Sequence, residues 1–350
     1  MKRMLALLLA ALLIVSCTAC GLDAAPSAQG QTAAADGGTL TVFFLDVGQA
    51  DSALLVCDGA AMLIDGGNVA DGSYVVSALG KYGVEALECV VATHCDEDHC
   101  GGLAGVLAKY PAERVLCPVT EYDTKAFSNF QKYTQEQGRS IEQPEAGEQW
   151  MLGGAQVTVL GPLRDYEDNN ENSIVLRVDY GETSFLFTGD IGLEAEDELV
   201  ESGADVSCTV LKVAHHGSSG SSGYVFLRAA QPQYGVISVG TDNAYGHPTE
   251  QALSRLRDAE VELYRTDLQG TITAVSDGKT VQFTTERAAA ADAVDPTADS
   301  APGSYIGNVN SKTVHRDSCG SLPAEQNRVA FDSLEEAEAA GYRAHSACLP

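Results

Sequence analysis

The stretch that most constrains this chain is Thr93 to Gly102, which reads Thr-His-Cys-Asp-Glu-Asp-His-Cys-Gly-Gly. The apolar segment 88–92 before it predicts a short buried strand, and segment 103–110 after it predicts a helix. Within six residues it concentrates two imidazoles and two carboxylates, at His94, Asp96, Asp98 and His99. Such nitrogen and oxygen ligands suit zinc, manganese or iron. We therefore expect a metal site here; the alternative is a solvated acidic loop with two incidental histidines.

Two later apolar segments also end on candidate ligands. Segment 185–190 is a predicted strand that closes on Asp190, and segment 209–214 leads directly into His215 and His216. Successive side chains of a strand point to opposite faces, so the two histidines should divide their duties. We favour His216 as a metal ligand and His215 as a phosphate contact or proton donor, with the reverse assignment and a purely structural turn left open.

Several motifs occur together in a fixed order along residues 39–286. They are Phe44-Leu-Asp-Val-Gly-Gln-Ala-Asp-Ser, Leu63-Ile-Asp-Gly-Gly, the Thr93 stretch, Glu171-Asn-Ser-Ile-Val-Leu, Phe187-Thr-Gly-Asp, Leu211-Lys-Val-Ala-His-His-Gly-Ser and Tyr245-Gly-His-Pro. This set resembles the metallo-β-lactamase superfamily, and within it the hydrolase domain of the DNA-uptake competence proteins (ComEC). The resemblance implies an α/β fold, the αββα sandwich, for residues 39–286. Periodicity alone indicates only that strands and helices alternate.

The resemblance also implies a site for one or two divalent ions, zinc or manganese. One ion would lie among His94, Asp96 and Asp190, and the other among Asp98, His99, Asp190 and His216. Catalytic roles would fall to Asp98, His215 and His247, with His247 contacting substrate or protonating a leaving group, or else purely structural. Asp65 would orient a ligand, and Lys212 would neutralise a phosphate or be an ordinary solvated lysine.

One departure from the superfamily pattern affects the number of ions. Most members with two ions carry a further histidine before the bridging aspartate, but no histidine lies between His99 and His215 here. Glu171-Asn172-Ser173 stands where that ligand would be. Asn172 would offer a weaker oxygen ligand, or the first ion would be incompletely held.

The N-terminus predicts export. Met1-Lys-Arg supplies positive charge, and 4–15 is an apolar run of signal-peptide length that is short for a membrane span. Ile14-Val-Ser-Cys17 resembles a bacterial lipobox, with Cys20 as a second acceptor. We expect a lipoprotein signal peptide over 1–20, a disordered tether over 21–38, and anchoring to the outer face of the bacterial cell membrane. An ordinary secretory signal is the alternative, and no transmembrane channel is expected within this chain.

A linker over 287–303 leads to a small tail, 304–350. His315-x3-Cys319 and His345-x2-Cys348 form two pairs, as in a closed structural zinc site. Segment 331–340 predicts a helix capped at Asp332-Ser333. The tail is similar to the metal-binding domain of the Ada DNA-repair protein, which has four cysteine ligands where this chain has two histidines. A small α+β tail stapled by zinc is expected; a Cys319–Cys348 disulfide is the alternative staple.

Charge and motifs point to different substrates. Lysine and arginine number 21 against 49 acidic residues, so the net charge of −28 should repel nucleic acid. The resemblance and the tail favour DNA. The primary hypothesis is an extracellular, membrane-anchored phosphodiesterase or nuclease that acts on DNA through a metal-activated hydroxide. Alternatives are hydrolysis of a small phosphoester (a phosphorylcholine ester or a nucleotide) or of a lactam, and a non-catalytic binding lipoprotein with a degenerate site.

Overall fold

A computed structural model describes residues 38–288, 305–316, 319, 322–323, 327–331, 334–345 and 348–349. The predicted signal peptide with Cys17 and Cys20, nearly all of the tether and most of the linker lie outside the described residues. So does the predicted helix cap at Asp332-Ser333. Within the described residues, no helix combines the length and apolar character needed to cross a membrane.

The main domain contains two sheets. The first comprises β1 (Leu40–Phe44), β2 (Ala53–Cys57), β3 (Ala60–Ile64), β4 (Leu87–Val91), β5 (Ala112–Leu116), β6 (Ile141–Glu142), β14 (Ile272–Ser276) and β15 (Val281–Thr285). The second comprises β7 (Gln149–Leu152), β8 (Ala155–Gly161), β9 (Val175–Tyr180), β10 (Thr183–Phe187), β11 (Val210–Lys212), β12 (Tyr234–Ile237) and β13 (Glu262–Arg265). Their strand orders are β15-β14-β1-β2-β3-β4-β5-β6 and β13-β12-β11-β10-β9-β8-β7.

Helices cover the outer faces of both sheets. They are α1 (Gly72–Lys81), α2 (Glu97–Cys100), α3 (Leu103–Leu107), α4 (Lys125–Glu136), α5 (Leu193–Glu201), α6 (Tyr224–Ala230), α7 (Glu250–Asp258) and α8 (Thr266–Gln269). Apolar residues of α1, α3 and α4 pack on the first sheet, and those of α5, α6 and α7 pack on the second. The predicted helix over 103–110 is therefore real, although it ends at Leu107.

Side-chain alternation explains why the two sheets face each other. Leu55 and Phe185 belong to the apolar core between the sheets, whereas their neighbours Leu54 and Leu186 belong to the two outer cores. Strands that are apolar on both faces must be covered on both faces. The result is the αββα sandwich, which confirms the predicted fold class.

The tail is a separate small sheet with one described helix. It contains β16 (Tyr305–Asn308), β17 (Thr313–Arg316), β18 (Arg328–Phe331), β19 (Arg343–Ala344) and α9 (Leu334–Ala339), with strand order β18-β16-β17-β19. Tyr305, Val314, Phe331 and Tyr342 form much of its apolar cluster. The α+β character predicted for the tail is confirmed.

Candidate metal centre

The candidate metal centre lies where four strands end. Asp65 follows β3, the His94–His99 segment follows β4, Asp190 follows β10 and His216 follows β11. β3 pairs in parallel with β4 in one sheet, and β10 pairs in parallel with β11 in the other. Parallel neighbours bring their carboxyl ends to the same edge, so residues far apart in sequence meet there.

Close backbone approaches hold these loops together. The backbone N–H of Gly66 donates to the His99 carbonyl (2.7 Å), and that of Asp51 donates to the Asp98 carbonyl (3.0 Å). Gly189, directly before Asp190, has a φ of 52°, and a Cβ there would lie 2.7 Å from the Cβ of Ser173. Glycine is required at this position because both the left-handed conformation and the close contact exclude a side chain.

The predicted ligand atoms converge on two overlapping groups, His94/His99/Asp190 and Asp98/His99/His216. His216 Nε2 lies 3.2 Å from Asp98 Oδ2 and 3.7 Å from Asp190 Oδ2, and His99 Nε2 lies 3.4 Å from Asp190 Oδ2. Two ligands of one tetrahedral ion are separated by roughly 3.3–3.8 Å. His94 Nε2, His99 Nε2 and Asp190 Oδ1 are buried without a hydrogen-bond partner among the described residues. Buried polar atoms normally have a partner, so these side chains fit a divalent cation.

The electrostatics favour a cation at the same place. Burial alone would raise the pKa of Asp190, but the positive charges of His99 and His216 hold it well below its usual value. Burial also acts to raise the pKa of Asp98. The hydrogen bond with His216 outweighs burial, and the pKa of Asp98 falls to about 2. Both carboxylates are therefore ionised wherever the protein is folded at ordinary pH.

Asp65 lies behind the cluster and fixes one ligand. Its carboxylate accepts hydrogen bonds from the Thr93 backbone N–H and the Thr93 hydroxyl, both at 2.8 Å. The same carboxylate lies 2.9 Å from His99 Nδ1, which leaves His99 Nε2 facing the cluster. A carboxylate on the far nitrogen is the usual way in which a metal histidine is oriented. His216 is held similarly, with Nδ1 lying 2.8 Å from the Ser238 carbonyl.

The paired histidines occupy different environments, although not for the predicted reason. Both adopt left-handed conformations, with φ of 50° for His215 and 54° for His216, in a turn after β11 rather than in a strand. The predicted apolar strand segment 209–214 is shortened to Val210–Lys212. His216 is buried, whereas the His215 side chain is 32% exposed and its Nε2 lies 3.7 Å from Asp190 Oδ2.

A rim of aromatic side chains borders the cluster. The His247 ring lies 5.6 Å from that of His215 and 6.5 Å from that of His216, measured between centroids. Tyr245 stacks on His247 and is 72% exposed. Burial and the neighbouring His215 lower the pKa of His247, so its imidazole is neutral at neutral pH. The arrangement is a buried set of ligands that opens to solvent on one side.

Comparison with known proteins identifies the family of the main domain. A family model described as "Metallo-beta-lactamase superfamily" matches residues 45–241. The chain belongs to the metallo-β-lactamase superfamily. Family membership implies divalent metal binding and metal-dependent hydrolysis, in agreement with the cluster above.

Curated relatives match the same domain. ComE operon protein 3 of Bacillus subtilis (strain 168) is 29% identical over 250 residues, which are 66% of this chain and 32% of that protein. Competence protein ComA of Neisseria gonorrhoeae is 36% identical over 230 residues, 65% of this chain and 31% of that protein. The chain thus spans about a third of the length of these relatives. Among solved structures, the metallo-β-lactamase fold protein YhfI from Bacillus subtilis covers 70% of this chain and 99% of its own, with 13% identity and a TM-score of 0.47.

The structure places Ser173, and not the Asn172 amide, beside the predicted ligand His94. Asn172 Oδ1 accepts from the Tyr166 backbone N–H (2.9 Å), and its Nδ2 donates to the Tyr166 and Asp168 carbonyls (both 2.9 Å). The amide is therefore used by its own loop. Ser173 Oγ instead lies 3.4 Å from His94 Nδ1 and accepts from the Asp190 backbone N–H (3.1 Å).

Sequence reasoning also missed the neighbour of Asp96. Asn169 Nδ2 donates to Asp96 Oδ1 at 2.8 Å, while Asp96 Oδ2 lies 3.7 Å from His94 Nε2. Asp96 is half-buried, with 43% of its side chain exposed, so this side of the cluster is more open than the His216 side. The Asn169-Asn170 pair before the Glu171 motif was the only sequence signal for this contact.

Lys212 was assigned incorrectly as a phosphate contact or a solvated lysine. Its side chain is 5% exposed, and Nζ lies 2.8 Å from Asp51 Oδ2 and donates to the Val213 carbonyl at 2.9 Å. Asp51 in turn lies 4.0 Å from both His99 Nδ1 and His216 Nδ1. Lys212 therefore balances the negative charge of the buried Asp51 carboxylate behind the ligands and in this way supports the metal centre.

A second cluster lies in the tail. The ligand atoms of His315, Cys319, His345 and Cys348 all lie within 4.8 Å of one another. His345 Nδ1 is 3.2 Å from Cys348 Sγ and 3.6 Å from Cys319 Sγ. Both cysteines are free thiols in the structure, so the alternative disulfide is not formed there.

Proposed function

We propose that this superfamily hydrolase is a phosphodiesterase whose substrate is DNA. The observation that carries the proposal is the pairing of a buried, carboxylate-rich ligand set with a half-exposed rim formed by His215, His247 and Tyr245. A phosphodiester needs both a cation beside its oxygens and a proton donor at the leaving oxygen. The DNA assignment rests on relatives named Competence protein ComA and, in Haemophilus influenzae, Recombination protein 2.

The residues divide into a complete and an incomplete ligand set. Asp98, His99, Asp190 and His216 would hold one zinc or manganese ion, since their atoms are close together and oriented from behind. His94, Asp96 and the shared Asp190 would hold a second ion, which would lack a fourth side-chain ligand and would bind more weakly. A bound divalent ion supplies an activated water and offsets the negative charge that develops on the phosphate.

His215 and His247 act on the substrate rather than on the metal. His215 is the more exposed of the paired histidines and would donate a hydrogen bond to a phosphate oxygen. His247 Nδ1 is buried without a hydrogen-bond partner among the described residues, and the lowered pKa keeps the ring neutral. A neutral imidazole carries one N–H, which His247 would donate as a hydrogen bond to the leaving oxygen.

A small phosphoester is the second candidate, because one observation favours it. The net charge of −28 opposes the approach of a polyanion, and that repulsion grows as salt is removed. A nucleotide or a phosphorylcholine ester carries few charges and would be repelled less.

We further propose that the protein is exported and anchored by a lipid on Cys17 or Cys20, on the outer face of the cell membrane. The support is the positively charged start, the apolar run and the lipobox-like Ile14-Val-Ser-Cys17. Labelling cells with a fatty-acid analogue tests this. Label on the wild type that disappears in the double variant Cys17→Ala/Cys20→Ala supports the anchor, and unlabelled wild type contradicts it.

The activity is tested with protein that lacks residues 1–20, stripped of metal and reloaded with zinc or manganese. Substrates are single-stranded DNA, double-stranded DNA and bis-p-nitrophenyl phosphate. Asp190→Ala is the inactive variant, and Asp197→Ala, an exposed carboxylate on α5, is the matched control. Metal-dependent DNA cleavage that is lost only in Asp190→Ala is expected. Cleavage of the small diester alone would move the assignment to a small phosphoester, and no turnover with any metal would contradict a hydrolase.

A further inference from the structure

The tail touches the main domain through the residue next to one of its candidate ligands. His315 and Arg316 are consecutive in β17, so their side chains point to opposite faces of the strand. His315 faces the cluster with Cys319, His345 and Cys348. Arg316 faces the opposite way, toward helix α7 of the main domain.

The Arg316 side chain is inserted into a polar notch on α7. It is 6% exposed, its Nη1 donates to Ser254 Oγ at 2.9 Å, and it forms an ion pair with Asp258. Asp258 Oδ2 also accepts a hydrogen bond from the Tyr224 hydroxyl of α6 at 2.8 Å. Ser254 and Asp258 are four residues apart and therefore share one face of the helix. A buried ion pair of this kind is costly to break from one side.

The main chain of the same residue supports the thiols. The Arg316 carbonyl accepts from the Cys319 backbone N–H at 3.0 Å. The Arg316 backbone N–H is directed at the Cys348 thiol. Backbone N–H groups directed at sulfur stabilise the thiolate, which is the form that binds a metal.

The four side chains fit a thiophilic divalent cation. Two imidazoles and two thiols supply a complete tetrahedral set, with the separations of 3.2 and 3.6 Å expected for ligands of one zinc ion. His315 Nδ1 is buried and has no hydrogen-bond partner among the described residues. Two thiolates with two imidazoles are a donor set typical of structural zinc sites, so this centre is structural.

We infer that zinc binding in the tail and docking of the tail on α7 are one coupled event, joined through Arg316. Zinc would fix β17 and the two thiolates around the Arg316 main chain, and thereby place the guanidinium in the Ser254/Asp258 notch. Helix α7 begins at Glu250, just after His247, so the tail ion would also steady the helix that follows a rim residue of the hydrolase site. The inference does not depend on which substrate the main domain cleaves.

The test uses protein lacking residues 1–20, with the tail in place, loaded with cobalt(II) and then with zinc. Cobalt–thiolate charge-transfer absorption reports the tail alone, because the proposed ligands of the main domain contain no sulfur. Hydrogen exchange of residues 250–258 reports docking. Arg316→Met keeps the backbone N–H and removes the cation, and Cys348→Ser removes a ligand. The matched control is Arg343→Met, which replaces an exposed arginine on β19.

Wild type and Arg343→Met should show one cobalt–thiolate centre and slow exchange in α7. Arg316→Met should retain the cobalt absorption while α7 exchanges about tenfold faster or more, and Cys348→Ser should lose both properties. Two results would overturn the inference. One is a wild type without thiolate–cobalt absorption, including the case in which thiol counting finds a Cys319–Cys348 disulfide. The other is α7 exchange that is the same in Arg316→Met, in Cys348→Ser and in the wild type.

Discussion

The two ligand clusters of this chain differ in their donor atoms and in the side chains that border them. The main cluster combines imidazoles with carboxylates and is bordered by half-exposed His215 and His247. The tail cluster combines two imidazoles with two thiols. Oxygen-rich, open sites suit catalysis, and closed sulfur-rich sites suit structural zinc. The difference supports the proposal that one ion would work on a substrate and that the other would hold the chain together.

The two clusters also depend differently on the fold around them. The main cluster lies at the edge of two sheets with three extended apolar cores, and Asp65 and Ser238 already orient its ligands. The tail has one small apolar cluster, with Tyr305 and Val314 among its members. A domain of that size needs a staple. Metal removal should therefore leave the main domain folded and unfold the tail.

The largest expected effect concerns Asp190, the carboxylate that the two proposed ions would share. Asp190→Ala should reduce turnover of bis-p-nitrophenyl phosphate about a thousandfold or more, because both ions lose a ligand. Initial rates with manganese or zinc measure it, with Asp197→Ala as control. A variant that keeps most of its activity would mean that the open cluster is not the catalytic one.

Lys212→Met tests whether the main cluster is organised before metal binds. The change leaves Asp51 buried without its cation, and we expect a loss of about 3–5 kcal/mol in the free energy of unfolding, in metal-free protein as well as loaded protein. Denaturant titration measures this loss. Lys132→Met, an exposed lysine paired with Glu136 across one helical turn, should cost less than about 1 kcal/mol. Equal effects of the two changes would contradict the supporting role of Lys212.

His247→Gln separates substrate contact from metal binding. Turnover should fall about ten- to a hundredfold while the metal content of the main domain stays unchanged, since His247 acts on the substrate. The comparison variant His216→Gln should lose metal as well as activity, because His216 lies within 3.7 Å of both Asp98 and Asp190. Loss of metal in His247→Gln, measured by elemental analysis, would make His247 a ligand instead.

The smallest effect concerns a buried carboxylate near the paired histidines. Glu196 accepts backbone hydrogen bonds from Ser222 (2.6 Å) and Gly223 (2.7 Å), and burial raises its pKa to about 8. A folded-state pKa above the unfolded value gives stability that is present at low pH and is lost as the pH rises through about 8. In Glu196→Gln, the unfolding midpoint should decline less between pH 4.5 and pH 9 than it does in the wild type. An unchanged slope would contradict the role assigned to Glu196.

The sequence predicted well what depends on local spacing. His94, Asp96, Asp98 and His99 occupy one short loop after a strand, so their convergence follows from the chain's direction alone. The αββα sandwich followed from the order of the motifs. The predicted strands also lay close to the observed ones, because neighbours such as Leu54 and Leu55 make both faces of a strand apolar.

The sequence was misleading where a side chain depends on a distant partner. Lys212 forms an ion pair with Asp51, which lies in the loop before β2 of the other sheet. Arg316 forms an ion pair with Asp258 of the main domain. Neither contact has a local signal in the sequence. Asn172 was considered as a weaker oxygen ligand, but its amide is engaged in hydrogen bonds within its own loop. His215 and His216 owe their different environments to left-handed backbone conformations that periodicity does not reveal.

The most direct test of the central claim is anomalous diffraction from crystals of the zinc-loaded protein lacking residues 1–20. The account predicts one strong peak enclosed by His315, Cys319, His345 and Cys348. It predicts a second peak among Asp98, His99, Asp190 and His216, with any third peak beside His94 and Asp96 weaker. A main cluster without a peak beside an occupied tail would contradict the account, because the open cluster would then not be the metal centre of the hydrolase.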